Sequence, residues 1–80
     1  MAQVNKRELN TFLRNMRYLI NTSGYDTLNL AKMLGVNVRE IQRWKKMERI
    51  PSLKNGINFA RFFNKPIEGL LGTKYYKKNN

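Results

Sequence analysis

Eighty residues suffice for one compact domain with a modest core, and are too few for two domains or for a deep cleft closed by a lid. Sixteen lysines and arginines against five aspartates and glutamates leave a net charge of +11, a self-repulsion that a polyanion would relieve; nucleic acid is the first such partner to expect and an anionic membrane surface the second. The absence of cysteine and histidine excludes disulfides, the usual transition-metal sites and the usual general base.

No apolar run approaches ~18 residues and no signal-peptide pattern opens the chain. A cytoplasmic protein is therefore expected, with no membrane partner, no cofactor and no small-molecule ligand. Glycine and proline fall between short periodic segments, which predicts an all-α bundle. Leu9, Phe12, Leu13, Met16, Leu19 and Ile20 stand at helical spacing, so a first helix is predicted from Lys6 to Asn21, with Asn5 and Glu8 as its capping pair. Thr22, Ser23 and Gly24 break it. Asp26 then caps a short second helix that buries Leu30, Ala31 and Leu34 and stops at Gly35. A third helix follows at once over Val38 to Lys46, with Asn37 as its cap, Glu40 as the matching acid, and Val36, Ile41 and Trp44 inward. Pro51 and Ser52 open a fourth helix carrying Leu53, Ile57, Ala60 and Phe63 to the core, and Asn64 closes it. Pro66, Ile67, Leu70 and Leu71 mark a fifth. Residues 1–71 are read as one domain and 72–80 as a frayed basic tail containing Tyr75, Tyr76, Lys74, Lys77 and Lys78.

Two short helices joined by a tight turn containing glycine form the unit that lays its second helix in the DNA major groove. The distribution of side chains on helix three sharpens that reading. At about 100° per residue, turning Ile41 and Trp44 inward gathers Arg39, Arg43 and Lys46 on the opposite face, with Gln42 beside them and Val38 at the exposed end. Arginine donates twice to guanine, glutamine pairs with adenine, and valine touches a thymine methyl. The competing reading is a solvated basic face. Lys46, Arg49 and Lys54 are candidates for phosphate contacts that set the docking register without reading sequence. Lys6, Arg7, Arg14 and Arg17 fall largely on the polar face of helix one and are read as solvated.

From Leu19 to Leu71 the chain resembles the phage Cro and lambda-type repressor family of helix-turn-helix regulators. The resemblance rests on Leu30-Ala31-Lys32-Met33-Leu34-Gly35-Val36, Ile41-Gln42-Arg43-Trp44, Pro51-Ser52-Leu53, Ala60 and Leu70-Leu71, which align without a gap. It implies a compact five-helix, lambda-repressor-like domain in which Val38, Arg39, Gln42 and Arg43 contact bases and Thr27 makes a weak phosphate contact, while Asn37 joins Lys46, Arg49 and Lys54 as a candidate phosphate contact. Four departures bear on this. Thr27 replaces a phosphate-holding glutamine. Ile20 and Lys45 replace a buried Arg–Glu pair. Met47 stands where a left-handed glycine usually follows helix three, so another loop path is expected. Gly56 replaces a buried leucine, and Phe59, Phe62 or a partner chain is expected to fill the gap.

The resulting expectation is a non-enzymatic, sequence-specific regulator of bacterial or phage origin that binds double-stranded DNA as a repressor. Two copies are expected on a pseudo-palindromic site, assembled as a homodimer on DNA or through helix five and the Tyr75–Tyr76 tail. The alternatives are a protein-interaction module of the antitoxin type and a recombination-accessory or RNA-binding protein.

Overall fold

A computed structural model describes residues 3–77. Lys78 and the last two positions of the expected tail lie outside the described residues. Five helices follow in chain order: α1 (Lys6–Thr22), α2 (Thr27–Leu34), α3 (Val38–Lys45), α4 (Leu53–Phe62) and α5 (Ile67–Gly72). There is no strand among the described residues. The boundaries follow local chemistry. Asn5 Oδ1 accepts from the Glu8 N–H at 2.8 Å while Glu8 Oε1 accepts from the Asn5 N–H at 3.1 Å, a reciprocal cap that satisfies two donors at the start of α1. Asp26 caps α2 through Asn29 N–H at 2.8 Å, and Ser52 caps α4 through Asn55 N–H at 3.2 Å. Asn64 has the left-handed φ of 55° expected where α4 ends.

Helix α1 packs against α3 and α5, α2 against α3 and α4, and α4 against α5. Met16, Leu30, Ile41, Trp44, Phe59 and Leu70 are completely buried where these helices meet. Trp44 and Phe59 meet edge to face at 6.2 Å, and Phe59 continues into Phe63 at 4.6 Å. The Trp44 ring is thus a core residue, at the cost of a buried Nε1 without an acceptor among the described residues.

Three expectations change. Leu53, assigned to the core of α4, is 81% exposed, and Ile57 is half-buried. The inward face of α4 is instead Gly56, Phe59 and Ala60. The reason lies at Gly56: a Cβ there would stand 3.7 Å from the tip of the Phe12 ring and 3.9 Å from Pro51, so α1 fills the place of the missing leucine through Phe12 rather than through Phe59, Phe62 or a partner chain. With Gly56 turned to α1, Leu53 is carried to the rim. Second, Met47 takes the left-handed turn itself, with φ 59°, so the loop keeps this turn without a glycine. Third, the chain from Thr73 to Tyr76 is held against α1 rather than frayed. The completely buried Asn15 donates to Leu70 O at 2.8 Å and Thr73 O at 2.7 Å, and its Oδ1 accepts from Tyr75 N–H at 2.9 Å and Tyr76 N–H at 3.4 Å. Tyr75 folds back so that its hydroxyl lies over Gly69, where a Cβ would collide with it, and Lys65 Nζ sits 4.8 Å from its ring centre.

Candidate nucleic-acid interface

The turn between α2 and α3 is three residues long, and two of its N–H groups bond back to α2. Gly35, with φ 69°, lets its own N–H reach Lys32 O at 3.2 Å and the Val36 N–H reach Ala31 O at 3.0 Å. These two bonds close the last turn of α2. Asn37 then restarts the chain as a helix, its Oδ1 accepting from Arg39 N–H at 2.9 Å. The angle between the two helices is therefore set by backbone bonds, with Val36 packed on the core between them.

On α3 the burial is one-sided. Ile41 and Trp44 have no exposed surface, whereas Arg39, Gln42 and Lys46 are exposed and Arg43 is partly so. Eight residues at ~1.5 Å rise span about 12 Å, the width of the major groove. Five helices with this turn and this face suit the helix-turn-helix architecture, and comparison with known proteins agrees. The helix-turn-helix family model matches residues 26–70.

This chain belongs to the helix-turn-helix family.

The resemblance to Cro and lambda-type repressors read from the sequence stands within it, in a class of DNA-binding regulator domains. One curated relative, named as an HTH-type transcriptional regulatory protein of Pyrococcus furiosus, is 36% identical over 52 residues, covering 65% of this chain. The chain spans only 16% of that relative's length. No solved structure matches.

Within this helix-turn-helix domain the candidate residues differ in readiness. Arg39 and Gln42 are exposed and carry no side-chain bond among those described. Val38, expected at the open end, is half-buried against the core, leaving only part of its side chain for a thymine methyl. Arg43 and Arg49 are both engaged by Glu40: Arg43 Nη1 lies 3.4 Å from Glu40 Oε2, and Arg49 Nε lies 3.6 Å from Glu40 Oε1. Sequence reasoning assigned Glu40 to the helix cap. The cap is instead made by Asn37 to Arg39 N–H, the Glu40 N–H bonds only to Asn37 O, and the carboxylate turns to the two arginines. The available signal was the spacing of Glu40 three residues before Arg43, where side chains on a helix meet.

Lys46, at the end of α3, and Lys54, in the first turn of α4, are exposed cations. Asn37 has its carbonyl committed to the cap and only its amide left to donate. Thr27 opens α2 directly after Asp26, whose carboxylate repels a phosphate approaching that helix end. Among the described residues no three His, Cys, Asp or Glu side chains form a metal-holding group. No helix among them is long and apolar enough to cross a membrane.

Proposed function

We propose that the chain is a sequence-specific DNA-binding regulator, acting as a repressor, that places α3 in the major groove. The observation that carries the proposal is the division of α3 into a wholly buried side, Ile41 and Trp44, and an exposed side of Arg39, Gln42 and Lys46 joined by Arg43. Arg39 and Gln42 are the primary base readers, Arg43 reads once it leaves Glu40, and Val38 adds an apolar contact at the rim. Lys46, Lys54 and Arg49 hold phosphates, with lesser contributions from Asn37 and Thr27.

Two or three base contacts at ~1 to 3 kcal/mol each fall toward the low end of the ~4 to 10 kcal/mol that separates specific from non-specific binding. A pseudo-palindromic site bound by two copies supplies the rest, with the α3 helices entering successive grooves about 34 Å apart. The decisive experiment selects a preferred duplex from a random pool and then compares variants on it. Arg39→Ala and Arg43→Ala each cost ~1 to 3 kcal/mol on the selected site and relax base preference, while Lys46→Ala weakens all duplexes alike. Wild-type affinity and selectivity in both arginine variants would remove α3 from the reading role.

One observation supports a second reading, a protein partner as the main target. An open apolar groove is lined by Val4, Leu9, Phe12, Ile50, Leu53 and Ile57 among others, and Val4, Ile50 and Leu53 each expose half or more of their surface. Weak, salt-insensitive duplex binding would favour this reading.

A further inference from the structure

On α1 the exposed Arg14, Arg17 and Asn21 form one stripe at successive helical turns with Tyr18, which is half-buried against the core. The docked C-terminal segment closes the end of this stripe with Tyr76, and the five side chains line a pocket of about 290 Å³. None of them belongs to α2, α3 or α4, so the pocket is separate from the helix-turn-helix unit.

Its chemistry is one-sided. Arg14 and Arg17 lie three residues apart, where like charges on a helix repel, and no carboxylate lines the pocket. Neither arginine has an ion pair among the described residues. The Arg14 guanidinium carbon lies over the Tyr76 ring, 5.6 Å from the ring centre. Tyr76 is itself held through its backbone N–H by the buried Asn15. The backbone bond thus brings Tyr76 to the α1 surface beside Arg14, and a guanidinium next to an aromatic ring offers two groups on which a nucleobase stacks.

We propose that this pocket binds a nucleotide, with the phosphate held between Arg14 and Arg17 and the base stacked on the Arg14–Tyr76 pair. A single carboxylate is satisfied by one guanidinium, whereas a phosphate presents enough anionic oxygens to engage both and relieve their repulsion. The volume sits just below the ~300 to 1,000 Å³ typical of small-ligand sites, on the scale of a single nucleotide. The nucleotide is either free or one residue of a single strand; the chemistry recognised is the same.

The test measures equilibrium binding to the full chain at physiological salt, using adenosine diphosphate, inorganic phosphate, a ten-nucleotide single strand and the selected duplex as separate probes. Adenosine diphosphate, the single strand or both bind, and Arg14→Gln and Arg17→Gln each weaken that binding at least tenfold. Arg7→Gln, which removes the same charge outside the pocket, changes it less than twofold. Tyr76→Leu keeps the backbone bond to Asn15 and lowers affinity for the nucleotide probes but not for inorganic phosphate. Tighter binding of the diphosphate than of the strand assigns a free ligand, and the reverse assigns a strand. The proposal is overturned if neither nucleotide probe binds, if Arg7→Gln weakens binding as much as Arg14→Gln, or if Tyr76→Leu has no effect. It is also overturned if Arg14→Gln and Arg17→Gln impair duplex binding as strongly as nucleotide binding, because the stripe then belongs to the duplex interface. Failure of the α3 reading registers separately, as a duplex affinity indifferent to Arg39→Ala.

Discussion

Glu40→Gln isolates what the carboxylate between Arg43 and Arg49 does. In the free protein Glu40 is 22% exposed at its side chain and faces Arg43 and Arg49, which are 39% and 56% exposed. Partly exposed pairs of this length are worth ~0.2 to 1 kcal/mol each after solvent screening, so the two together hold back roughly 0.4 to 2 kcal/mol. DNA binding has to disengage both arginines, and the carboxylate that remains also repels the phosphates they approach. Removing it should therefore raise affinity for an arbitrary duplex about twofold to thirtyfold, since 1.4 kcal/mol is roughly a factor of ten. The gain on the selected site should be of the same size, because Arg43 has to leave Glu40 there as well. The ratio of specific to non-specific affinity should stay close to that of the unsubstituted protein. Glutamine keeps the shape but gives up a favourable charge in the first turn of α3, a loss of ~0.3 to 1 kcal/mol in stability, so folded content is checked by thermal unfolding before binding. Fluorescence anisotropy with specific and scrambled duplexes gives both constants. Unchanged or weaker binding to the scrambled duplex would show that Glu40 does not restrain the arginines, and would sink the reasoning.

Other outcomes follow from the same contacts. With about four to six phosphates neutralised per copy, log affinity for the selected duplex should fall against log salt with a slope of roughly −4 to −5 per copy, and a flat response would transfer the main function to the apolar groove. Gly56→Ala should stabilise the fold by ~0.5 to 1 kcal/mol, read as a melting temperature higher by a few degrees, because the added Cβ meets Phe12 and Pro51 at ordinary contact distance; a lower melting temperature would mean that α1 and α4 are packed closer than described. Asn15→Ala should cost ~1 to 3 kcal/mol in urea unfolding, since it removes the described partner of Leu70 O and of the Tyr76 N–H while Thr73 O and the Tyr75 N–H keep only their bond to each other, and should lower hydrogen-exchange protection at Tyr76. A loss below ~0.5 kcal/mol would show that water replaces the side chain without penalty.

The helices were legible because their ends are written in local chemistry. Asn5 with Glu8, Asp26, Gly35, Asn37, Ser52 and Asn64 each act within a few residues of themselves, and each stands where the sequence pattern put it. The face of α3 was legible for the same reason: Ile41 and Trp44 fix its rotation, and the opposite residues follow from helix geometry. What escaped depends on partners far along the chain. The pattern Leu53, Ile57, Ala60 and Phe63 is a sound helical stripe, but which part of α4 turns inward is decided by Phe12, more than forty residues earlier in the chain. Asn15 lies among Phe12, Met16 and Leu19 on the inward arc of α1, and a polar residue in that arc was the one available sign that something distant must satisfy it. The pocket at Arg14 and Arg17 was hidden because it exists only once Tyr76 has been brought back to α1.

Asn15 also has a consequence for how the chain is made. Its four bonds span 55 to 61 residues, joining the first helix to the last residues of the described chain. Contacts this distant in sequence form late, after loop closure has been offset by nearer ones. On the ribosome the first sixty residues supply α1 to most of α4, yet Leu70, which is completely buried, and the Thr73–Tyr76 segment are still inside the exit tunnel or unsynthesised. Until they emerge, the amide of Asn15 has nothing to hold and the α1 surface reserved for α5 stays open. The fold therefore closes from its two ends, so that a nascent or truncated chain can carry an intact α2–turn–α3 unit and still lack the bond set that completes the domain.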